Sequence, residues 1–460
     1  MVHSDRQYCR ACLEKQREID QLRSENVQLK AKLRYQERTA KEGPFGSSTP
    51  SSKIPIKANS LEERQARRGG GKLGHRGHGR KTLPQDEADR IERVVLHESC
   101  PHCGTPREDR GLRRRTVIDC QPVKVEKVLF ELEKKKCPHC GQREEARAPG
   151  VLPKFLYGNQ LLTHVAVQHY QYGQTLGQLE KQMGVPYSSL LKALQGLATI
   201  LEPAIPALVD HYRQAPVKHA DETGWRTDGK NGYAWLFATP LISIFRFRNS
   251  RAAAVAQEVL GSKRLPGVLV VDRYNAYNKS PCKLQYCFAH LLRNLKDILK
   301  EFPDNVEIQG FVESLAPLLA SAMQARKLPG STRQFLAQAA RIQKQIKTVI
   351  LSQARHPAIQ AYQSIFREKT HRLFHWTKDR AIPAENNLAE RDLRPLVIAR
   401  KISFGSQSQT GAKTRETLMT ILHTLKKQQA NPGLHLKKVL DQLAMNPDHD
   451  VYELLFGNSS

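Results

Sequence analysis

The chain has 460 residues and is strongly basic, with 73 Lys and Arg against 45 Asp and Glu and a formal net charge of +28. Its length predicts roughly two to four domains. Such an excess of positive charge is typical of proteins that bind a polyanion, with nucleic acid as the first candidate. The sequence contains no run of about 18 apolar residues and no secretory signal at its polar N-terminus. We therefore expect no membrane span and a cytoplasmic location.

Residues 1–42 carry a heptad pattern that predicts a short coiled coil. Ile19, Asn26 and Leu33 recur every seven residues, with leucines between them. A polar Asn at such a position fixes the register of a coiled coil and favours a dimer, so we expect a homodimer or higher oligomer through this segment. Only about three heptads are present, and a plain amphipathic helix packed on its own chain stays open as the alternative.

Residues 43–94 have the composition of a flexible, basic linker. Prolines, glycines and serines dominate its first part. Glycines then alternate with basic side chains, a pattern that suits a segment becoming ordered along a phosphate backbone. The candidate DNA-binding residues in this stretch are Arg67, Arg68, Lys72, Arg76, Arg80 and Lys81. A solvated linker without a DNA contact is the alternative.

Two nearly identical Cys-Pro-His-Cys-Gly motifs within residues 95–150 predict a structural zinc site. Two thiolates three residues apart converge on one ion, and the glycine that follows relieves the tight turn. The residues between the motifs, 123–132, alternate as strands do, which favours a zinc ribbon with a long hairpin. Two unrelated redox or structural cysteine pairs are the alternative. The predicted zinc ligands are Cys100, Cys103, Cys137 and Cys140.

Residues 151–214 have helical periodicity and are interpreted as a helical DNA-binding region. A tight turn at residues 184–186 separates two of the predicted helices. Two helices across such a turn either form a helix-turn-helix or pack as ordinary neighbours, and both interpretations stay open.

From residue 215 the pattern changes to strands. Three apolar runs are followed by a predicted helix over 252–260 and by a buried strand that ends at Asp272. Three strands, a helix and a further strand predict a mixed α/β sheet. Further along, Pro395 is expected to end or kink the helix in which it lies. The predicted parts are a core over 215–300, a helical insertion over 301–380, the last part of the core over 381–412 and C-terminal helices over 413–460.

Three acidic residues of this region are candidate metal ligands. Asp221 and Asp272 are both predicted at strand ends, in a sheet whose first and fourth strands can lie side by side. Glu390 is predicted on a later helix, on the face that also carries Asn387 and Arg394. Carboxylate oxygens suit Mg²⁺ or Mn²⁺, and two such ions can promote phosphodiester chemistry. Three acids scattered along a chain are weak evidence by themselves.

Four motifs in this part of the chain form a recognisable set. In order, they are His219-Ala-Asp221-Glu-Thr-Gly-Trp225, Val271-Asp272-Arg-Tyr, Cys287-Phe-Ala-His290 and Glu385-Asn-Asn-Leu-Ala-Glu390-Arg-Asp-Leu-Arg394-Pro. The set resembles the DDE transposases of the insertion-sequence-66 type, whose catalytic domain is ribonuclease H-like. The resemblance covers nearly the whole chain. It implies a multidomain α+β protein with an N-terminal coiled coil and zinc-binding element, a helical domain, and an α/β catalytic core split by the helical insertion.

The resemblance also implies roles for individual residues. Asp221 and Asp272 match the first and second catalytic aspartates, and Glu390 matches the catalytic glutamate, so these three would bind Mg²⁺ or Mn²⁺. Arg394 and Lys401 stand where basic residues would hold the DNA backbone.

Two points stay open within this resemblance. Glu385 stands before the Asn pair, where the family often has Asp, and is therefore an alternative third acid. Cys287 and His290 match a Cys-x-x-His signature found after the second aspartate in related transposases. We interpret this pair as a structural or DNA-positioning element, and simple packing is the alternative.

The implied function is a DNA transposase. It would cut the ends of a mobile element and join the 3′-hydroxyls to target DNA by divalent-metal-dependent phosphodiester transfer, with Zn²⁺ in a structural role. Its partners would be the DNA of the element ends and of the target, with possible accessory proteins of the same element, in the nucleoid of a bacterium. A DNA-binding regulatory protein on the same fold, without strand transfer, is the alternative. A metal-dependent nuclease without strand transfer is a third interpretation.

Overall fold

In the computed structural model, residues 143–457 are described continuously, together with 124–136 and 138–140. The other described residues are Lys15, Glu18, Ile19, 21–23, 25–26, Asp86, Ile91, 102–103 and 105–106. Most of the predicted coiled coil, nearly all of the basic linker with its six candidate DNA-binding residues, and the zinc ligands Cys100 and Cys137 thus lie outside the described residues. The chain forms two compact units, residues 49–125 and the remaining residues. Within the first, Cys103 Sγ donates a hydrogen bond to Thr105 Oγ1 at 3.4 Å.

A small antiparallel hairpin brackets the second cysteine motif. Strand β1 (Lys134–Lys136) pairs with β2 (Arg143–Glu145), and Cys140 lies in the turn between them. The strand expected over 123–132 is wrong for residues 124–132, which form no strand. Their side chains are almost all exposed, and among the described residues no strand pairs with them, so the alternating pattern has no partner to stabilise it.

A group of four helices follows. These are α1 (Asn159–Tyr170), α2 (Leu176–Met183), α3 (Tyr187–Leu201) and α4 (Ile205–Gln214). Helix α2 begins with a capping box between Thr175 and Gln178 and ends at Gly184, whose φ of 68° is the left-handed conformation that glycine adopts freely. Three residues then separate α2 from α3, as the sequence predicts.

Five strands form the central sheet. They are β3 (Val217–Thr227), β4 (Lys230–Ala238), β5 (Ser243–Arg248), β6 (Val268–Val271) and β7 (Lys283–Tyr286), in the spatial order β5-β4-β3-β6-β7. Strand β4 is antiparallel to its neighbours β3 and β5, and β6 and β7 add in parallel. Helix α5 (Ala253–Leu260) makes the crossover between β5 and β6. The mixed sheet and the adjacency of its first and fourth strands confirm the prediction.

Glycine is required where β6 begins. Gly267 has a φ of +72°, and a Cβ on it would lie 2.1 Å from the carbonyl oxygen of Pro216. This close approach lets Val268 N donate to the same oxygen at 2.9 Å, which starts the parallel ladder between β6 and β3. Any larger residue at position 267 would force the strands apart.

Strand β3 is longer than the sequence indicates, and this corrects the expected position of Asp221. Asp221 was expected at a strand end, but it lies in the middle of an 11-residue strand. The reason is that β3 has two neighbours of different length. Its parallel pairing with β6 ends at His219, whereas its antiparallel pairing with β4 continues to Thr227.

The remaining elements are helical. They are α6 (Phe288–Glu301), α7 (Val306–Ala325), α8 (Thr332–Leu351), α9 (Pro357–Lys369), α10 (Asn387–Ser403), α11 (Gln409–Gln428), α12 (Pro432–Met445) and α13 (Val451–Phe456). The described residues thus belong to a multidomain α+β protein with a mixed five-stranded sheet and thirteen named α-helices. None of the described helices is long and apolar enough to span a bilayer.

Helix α10 continues through Pro395, contrary to the expectation that this proline would end or kink it. A proline removes one backbone hydrogen bond, here to the carbonyl of residue 391. Leu393, Leu396 and Ala399 are buried, and α10 packs against β3 and β4. Burial of this apolar face outweighs the one lost hydrogen bond.

Helix α11 covers the β5 edge of the sheet. Three of its residues, spaced four apart, accept hydrogen bonds from backbone N–H groups of β5. Thr424 Oγ1 accepts from Ser243 N at 3.1 Å, Thr420 Oγ1 from Phe245 N at 3.1 Å and Glu416 Oε2 from Phe247 N at 3.0 Å. An edge strand that would otherwise be open to pairing with another chain is therefore closed.

Candidate active site

The two aspartates lie at matching levels of β3 and β6. In the parallel ladder His219 is paired with Val270, so Asp221 and Asp272 each follow this pair by two residues. Side chains two residues apart in extended chain point to the same face. The register therefore brings both carboxylates to one side of the sheet, where the ladder between the two strands ends.

The charges of several carboxylates act on Asp221. Burial raises the pKa of Asp221 well above its usual value, and the negative charges of Glu222, Asp272 and Glu390 raise it further. A hydrogen bond of 2.9 Å from the backbone N–H of Glu222 to Asp221 Oδ1 opposes the shift. Carboxylates that raise one another's pKa in this way are stabilised by a cation placed between them.

Asp272 is fixed by the turn that follows its strand. Its Oδ1 accepts a hydrogen bond of 2.8 Å from the backbone N–H of Tyr274, the local pattern by which aspartate stabilises turns. The side chain is half-buried. Among the described residues no group forms a hydrogen bond with its other oxygen, so that oxygen can serve as a ligand.

Glu390 lies in the first turn of α10, and the alternative acid Glu385 lies just before that helix. Glu390 is half-buried, and its charge acts on Asp221. Glu385 is 6% exposed, and the charges that act on it are Arg326 and Lys327, from the end of helix α7. The charge of Glu390, and not that of Glu385, is therefore among the charges that act on Asp221.

Asn386 joins the start of α10 to β3 and to the start of α6. Its side chain is fully buried; Nδ2 donates to Ala220 O at 2.9 Å, and Oδ1 lies 2.8 Å from His219 Nδ1. Its backbone N–H donates to Cys287 Sγ at 3.1 Å. Burial lowers the pKa of His219 to about 4, so the neutral ring donates its Nδ1–H to Asn386. No role for Asn386 follows from the sequence alone, although it lies in the motif that contains Glu390.

Glu222 is a second residue whose importance sequence reasoning missed. Its side chain is 1% exposed and is bound by Arg251 Nη2 at 2.6 Å and by the hydroxyl of Tyr277 at 2.6 Å. Burial raises the pKa of Glu222, and the charge of Asp272 raises it further. Arg251 thus supplies one positive charge beside the group of acids. Adjacency to Asp221 was the only available signal for this role.

The basic residues predicted on α10 divide into two kinds. Arg394 and Lys401 are exposed and available to a phosphate backbone. Arg400, which sequence reasoning did not single out, is buried; its Nη1 donates to Gly224 O at 2.6 Å and to Thr223 Oγ1 at 3.2 Å. It binds the last turns of α10 to β3.

His290 and Cys287 flank Glu390 from helix α6. His290 Nδ1 lies 3.9 Å from Glu390 Oε1. Burial and the charge of Arg293 lower the pKa of His290, and burial raises the pKa of the Cys287 thiol to about 12. Both groups are therefore neutral near pH 7 in the absence of an ion.

The chemistry of the acids fits a hard divalent cation. Asp221, Asp272 and Glu390 offer carboxylate oxygens, the ligands that Mg²⁺ and Mn²⁺ prefer. Burial and, to a smaller extent, the neighbouring negative charges raise the pKa of Asp221, and a bound cation would offset both effects. A mixed sheet that gathers these acids at the end of a parallel strand pair defines a protein with a candidate metal-dependent site.

Comparison with known proteins identifies the family to which this chain belongs. A family model described as "Transposase IS66 family" matches residues 154–414, and the chain belongs to this family. It is also similar to two uncharacterised proteins of Sinorhizobium fredii (strain NBRC 101917 / NGR234). It is 27% identical to y4jD over 229 residues, which are 45% of this chain and 43% of that protein. It is 24% identical to y4qI over 418 residues, which are 80% of this chain and 75% of that protein.

Proposed function

We propose that this protein is a DNA transposase that cuts the ends of a mobile element and joins the 3′-hydroxyls to target DNA. Its catalytic core would be ribonuclease H-like, in keeping with three antiparallel strands followed by two parallel ones. The observation that carries the proposal is that the charges of Asp272 and Glu390 both act on the buried carboxylate of Asp221, within the region that matches the family.

The three acids would hold Mg²⁺ or Mn²⁺. When bound, such ions activate an attacking water or hydroxyl and stabilise the leaving oxygen. Within the chain, the β3–β6 register sets the distance between the two aspartates, and Asn386 holds the start of α10 so that Glu390 faces them. Arg251 would limit the negative charge of the site through Glu222. Arg394 and Lys401 would bind phosphates beside it.

The reaction consists of two successive displacements at phosphorus. In the first, a water oxygen bonds to phosphorus at the element end, the P–O3′ bond breaks, and a 3′-hydroxyl is released. In the second, that hydroxyl loses its proton and attacks a phosphodiester of the target, whose own P–O3′ bond breaks to leave a target 3′-hydroxyl. One phosphodiester replaces another in the second step, so no further energy source is needed.

DNA binding would also involve the N-terminal half of the chain. We propose that the basic stretch with Arg67, Arg68, Lys72, Arg76, Arg80 and Lys81, the zinc element and the α1–α4 region contact the element ends. Tyr187, Ser188 and Lys192 at the start of α3 are exposed, as a helix-turn-helix would need. The N-terminal coil would pair two copies, in keeping with the exposure of Ile19 and Leu22. Accessory proteins of the same element are further possible partners.

The proposal is tested by strand transfer with purified full-length protein, duplexes that carry the element ends, and a target plasmid. We expect joined products in Mg²⁺ and none in EDTA, with each junction at an element 3′ end. Asp272→Asn should lower the rate roughly 10³-fold or more. Asp297→Asn, an exposed acid on α6, should leave it unchanged.

Three outcomes separate the alternatives. Equal activity of Asp272→Asn and the unchanged chain would refute the assignment of the site. Binding to element ends that persists in EDTA, without any cutting in Mg²⁺, would identify a DNA-binding regulatory protein. Cut ends without joined products would identify a nuclease.

A further inference from the structure

Three donor groups from two helices face one another beside the acids. Cys287 stands at the N-terminus of α6, His290 lies in the first turn of that helix, and Glu390 lies in the first turn of α10. One ligand atom of each lies within 4.8 Å of the other two. No other group of three His, Cys, Asp or Glu residues with this spacing occurs among the described residues.

Two of these atoms lack the partner that their burial demands. His290 Nδ1 and Glu390 Oε1 are both buried and accept or donate no hydrogen bond, although they lie only 3.9 Å apart. A buried polar atom without a partner destabilises the folded state. Two such atoms facing each other and a thiol indicate that something which binds all three is missing between them.

The sulfur of Cys287 is oriented as a ligand. The residue is fully buried, and the backbone N–H of Asn386 donates to its Sγ at 3.1 Å. Backbone N–H groups of Ala289 and His290 also favour its thiolate form. Such N–H groups stabilise the negative charge that a thiolate keeps when it binds an ion.

The donor set selects the type of ion. A thiolate, an imidazole and a carboxylate suit Zn²⁺ and similar borderline ions, whereas Mg²⁺ avoids sulfur. Bonds of about 2.0–2.3 Å place tetrahedral ligands about 3.5 Å apart, so closure from 4.8 Å needs movements of about 1 Å. Three protein ligands leave a fourth position for water.

We propose that Cys287, His290 and Glu390 form a Zn²⁺ site that is distinct from the predicted four-cysteine site. The Cys287 thiol releases its proton to solvent when the ion binds. The ion joins α6 to α10 and fixes one carboxylate oxygen of Glu390, so that the other oxygen is directed towards Asp221. The zinc site itself does not require the proposed function, but the effect of the ion on Glu390 as a catalytic residue rests on the proposed function.

The test is the zinc content of full-length protein after dialysis against metal-free buffer, measured by elemental mass spectrometry. We expect Cys287→Ser and His290→Gln each to lose one equivalent of Zn²⁺ per chain relative to the unchanged protein. Cys282→Ser is the matched control, because Cys282 is a half-buried free cysteine outside the cluster, and it should lose none. Protein loaded with Co²⁺ in place of Zn²⁺ should give the absorption spectrum of tetrahedral sites. The difference spectrum between the unchanged protein and Cys287→Ser should show the absorption of one Co²⁺–thiolate bond.

Circular dichroism and thermal melting establish that each variant is folded. His290→Gln keeps the test decisive if Cys287→Ser does not fold, because His290 is partly exposed. An unchanged zinc content in folded His290→Gln, or an equal loss in Cys282→Ser, would overturn the site. Failure of strand transfer in the unchanged protein, with this zinc equivalent present, would refute the proposed function and leave the site standing.

Discussion

The two aspartates and the glutamate of the candidate site are held by different kinds of contact. Asp221 and Asp272 are placed by backbone pairing between β3 and β6, which ends two residues before each of them. Glu390 is placed by side chains that hold α10 against the sheet. Single side-chain substitutions far from the acids can therefore displace the glutamate while the aspartates stay in place.

Three contacts hold α10, one near each end and one in the middle. Asn386 binds its start to β3 and to Cys287. In the middle, Asp392 pairs with Lys427 of α11 at 2.6 Å, with both side chains about 15% exposed. Arg400 binds the last turns to the backbone of β3. Substitutions at these contacts test whether side chains, and not backbone pairing, hold Glu390 in place.

The largest effect on stability is expected from the middle contact. Lys427→Met leaves the carboxylate of Asp392 with no cation and removes hydrogen bonds of 2.6 and 2.8 Å to the carbonyls of Thr239 and Ile242. Loss of one partner from a buried ion pair costs about 3–5 kcal/mol. Chemical denaturation should show this loss for Lys427→Met, whereas the exposed neighbour variant Lys426→Met should change the free energy of unfolding by less than about 0.5 kcal/mol. Equal effects of the two variants would mean that the pair does not anchor α10.

An intermediate effect is expected at the start of α10. Asn386→Ala leaves the carbonyl of Ala220 and the ring of His219 without their hydrogen bonds, a loss of about 2–3 kcal/mol. Because the same change releases Glu390, Mg²⁺-dependent strand transfer should fall at least about 10-fold at temperatures where the variant remains folded. Asn387→Ala, at the exposed neighbouring position, should alter neither quantity. Full activity of a destabilised Asn386→Ala would show that this asparagine supports the fold without positioning the glutamate.

The smallest effect is expected at the edge strand β5, which α11 covers. Thr420→Val removes the acceptor for Phe245 N at the edge of β5, which should cost about 1–2 kcal/mol. This site is not part of the α10 contacts, so strand transfer of the folded variant should be unchanged. Thr410→Val, at an exposed position, serves as the control for the substitution. Loss of activity in folded Thr420→Val would contradict this expectation, because it would mean that the contact at the edge of β5 also affects the candidate site.

The sequence predicts those features that depend on local pattern. The apolar run before Asp272, the order of the strands and the helical character of residues 301–380 follow from periodicity. The position of Asp221 within β3 cannot be predicted from periodicity, because the length of that strand is set by pairing with β4. The continuation of α10 past Pro395 cannot be predicted in this way either, because it depends on burial against the sheet.

Long-range contacts determine the features of the site that local sequence pattern does not predict. The role of Asn386 depends on residues 166 and 99 positions away in the chain, and that of Glu222 depends on Arg251 and Tyr277. The choice between Glu385 and Glu390 was open in the sequence, since both stand beside the same Asn pair. Only the turn that leads into α10 separates them, directing one towards Arg326 and the other towards Asp221.

Strand transfer by Glu390→Gln and Glu385→Gln, measured side by side in Mg²⁺, tests the central claim most directly. Both variants remove one carboxylate, and they lie five positions apart in the chain, so each is the control for the other. The structure predicts that Glu390→Gln loses joined products roughly 10³-fold or more, while folded Glu385→Gln retains them. Retention of activity by Glu390→Gln together with its loss in Glu385→Gln would contradict the site described here.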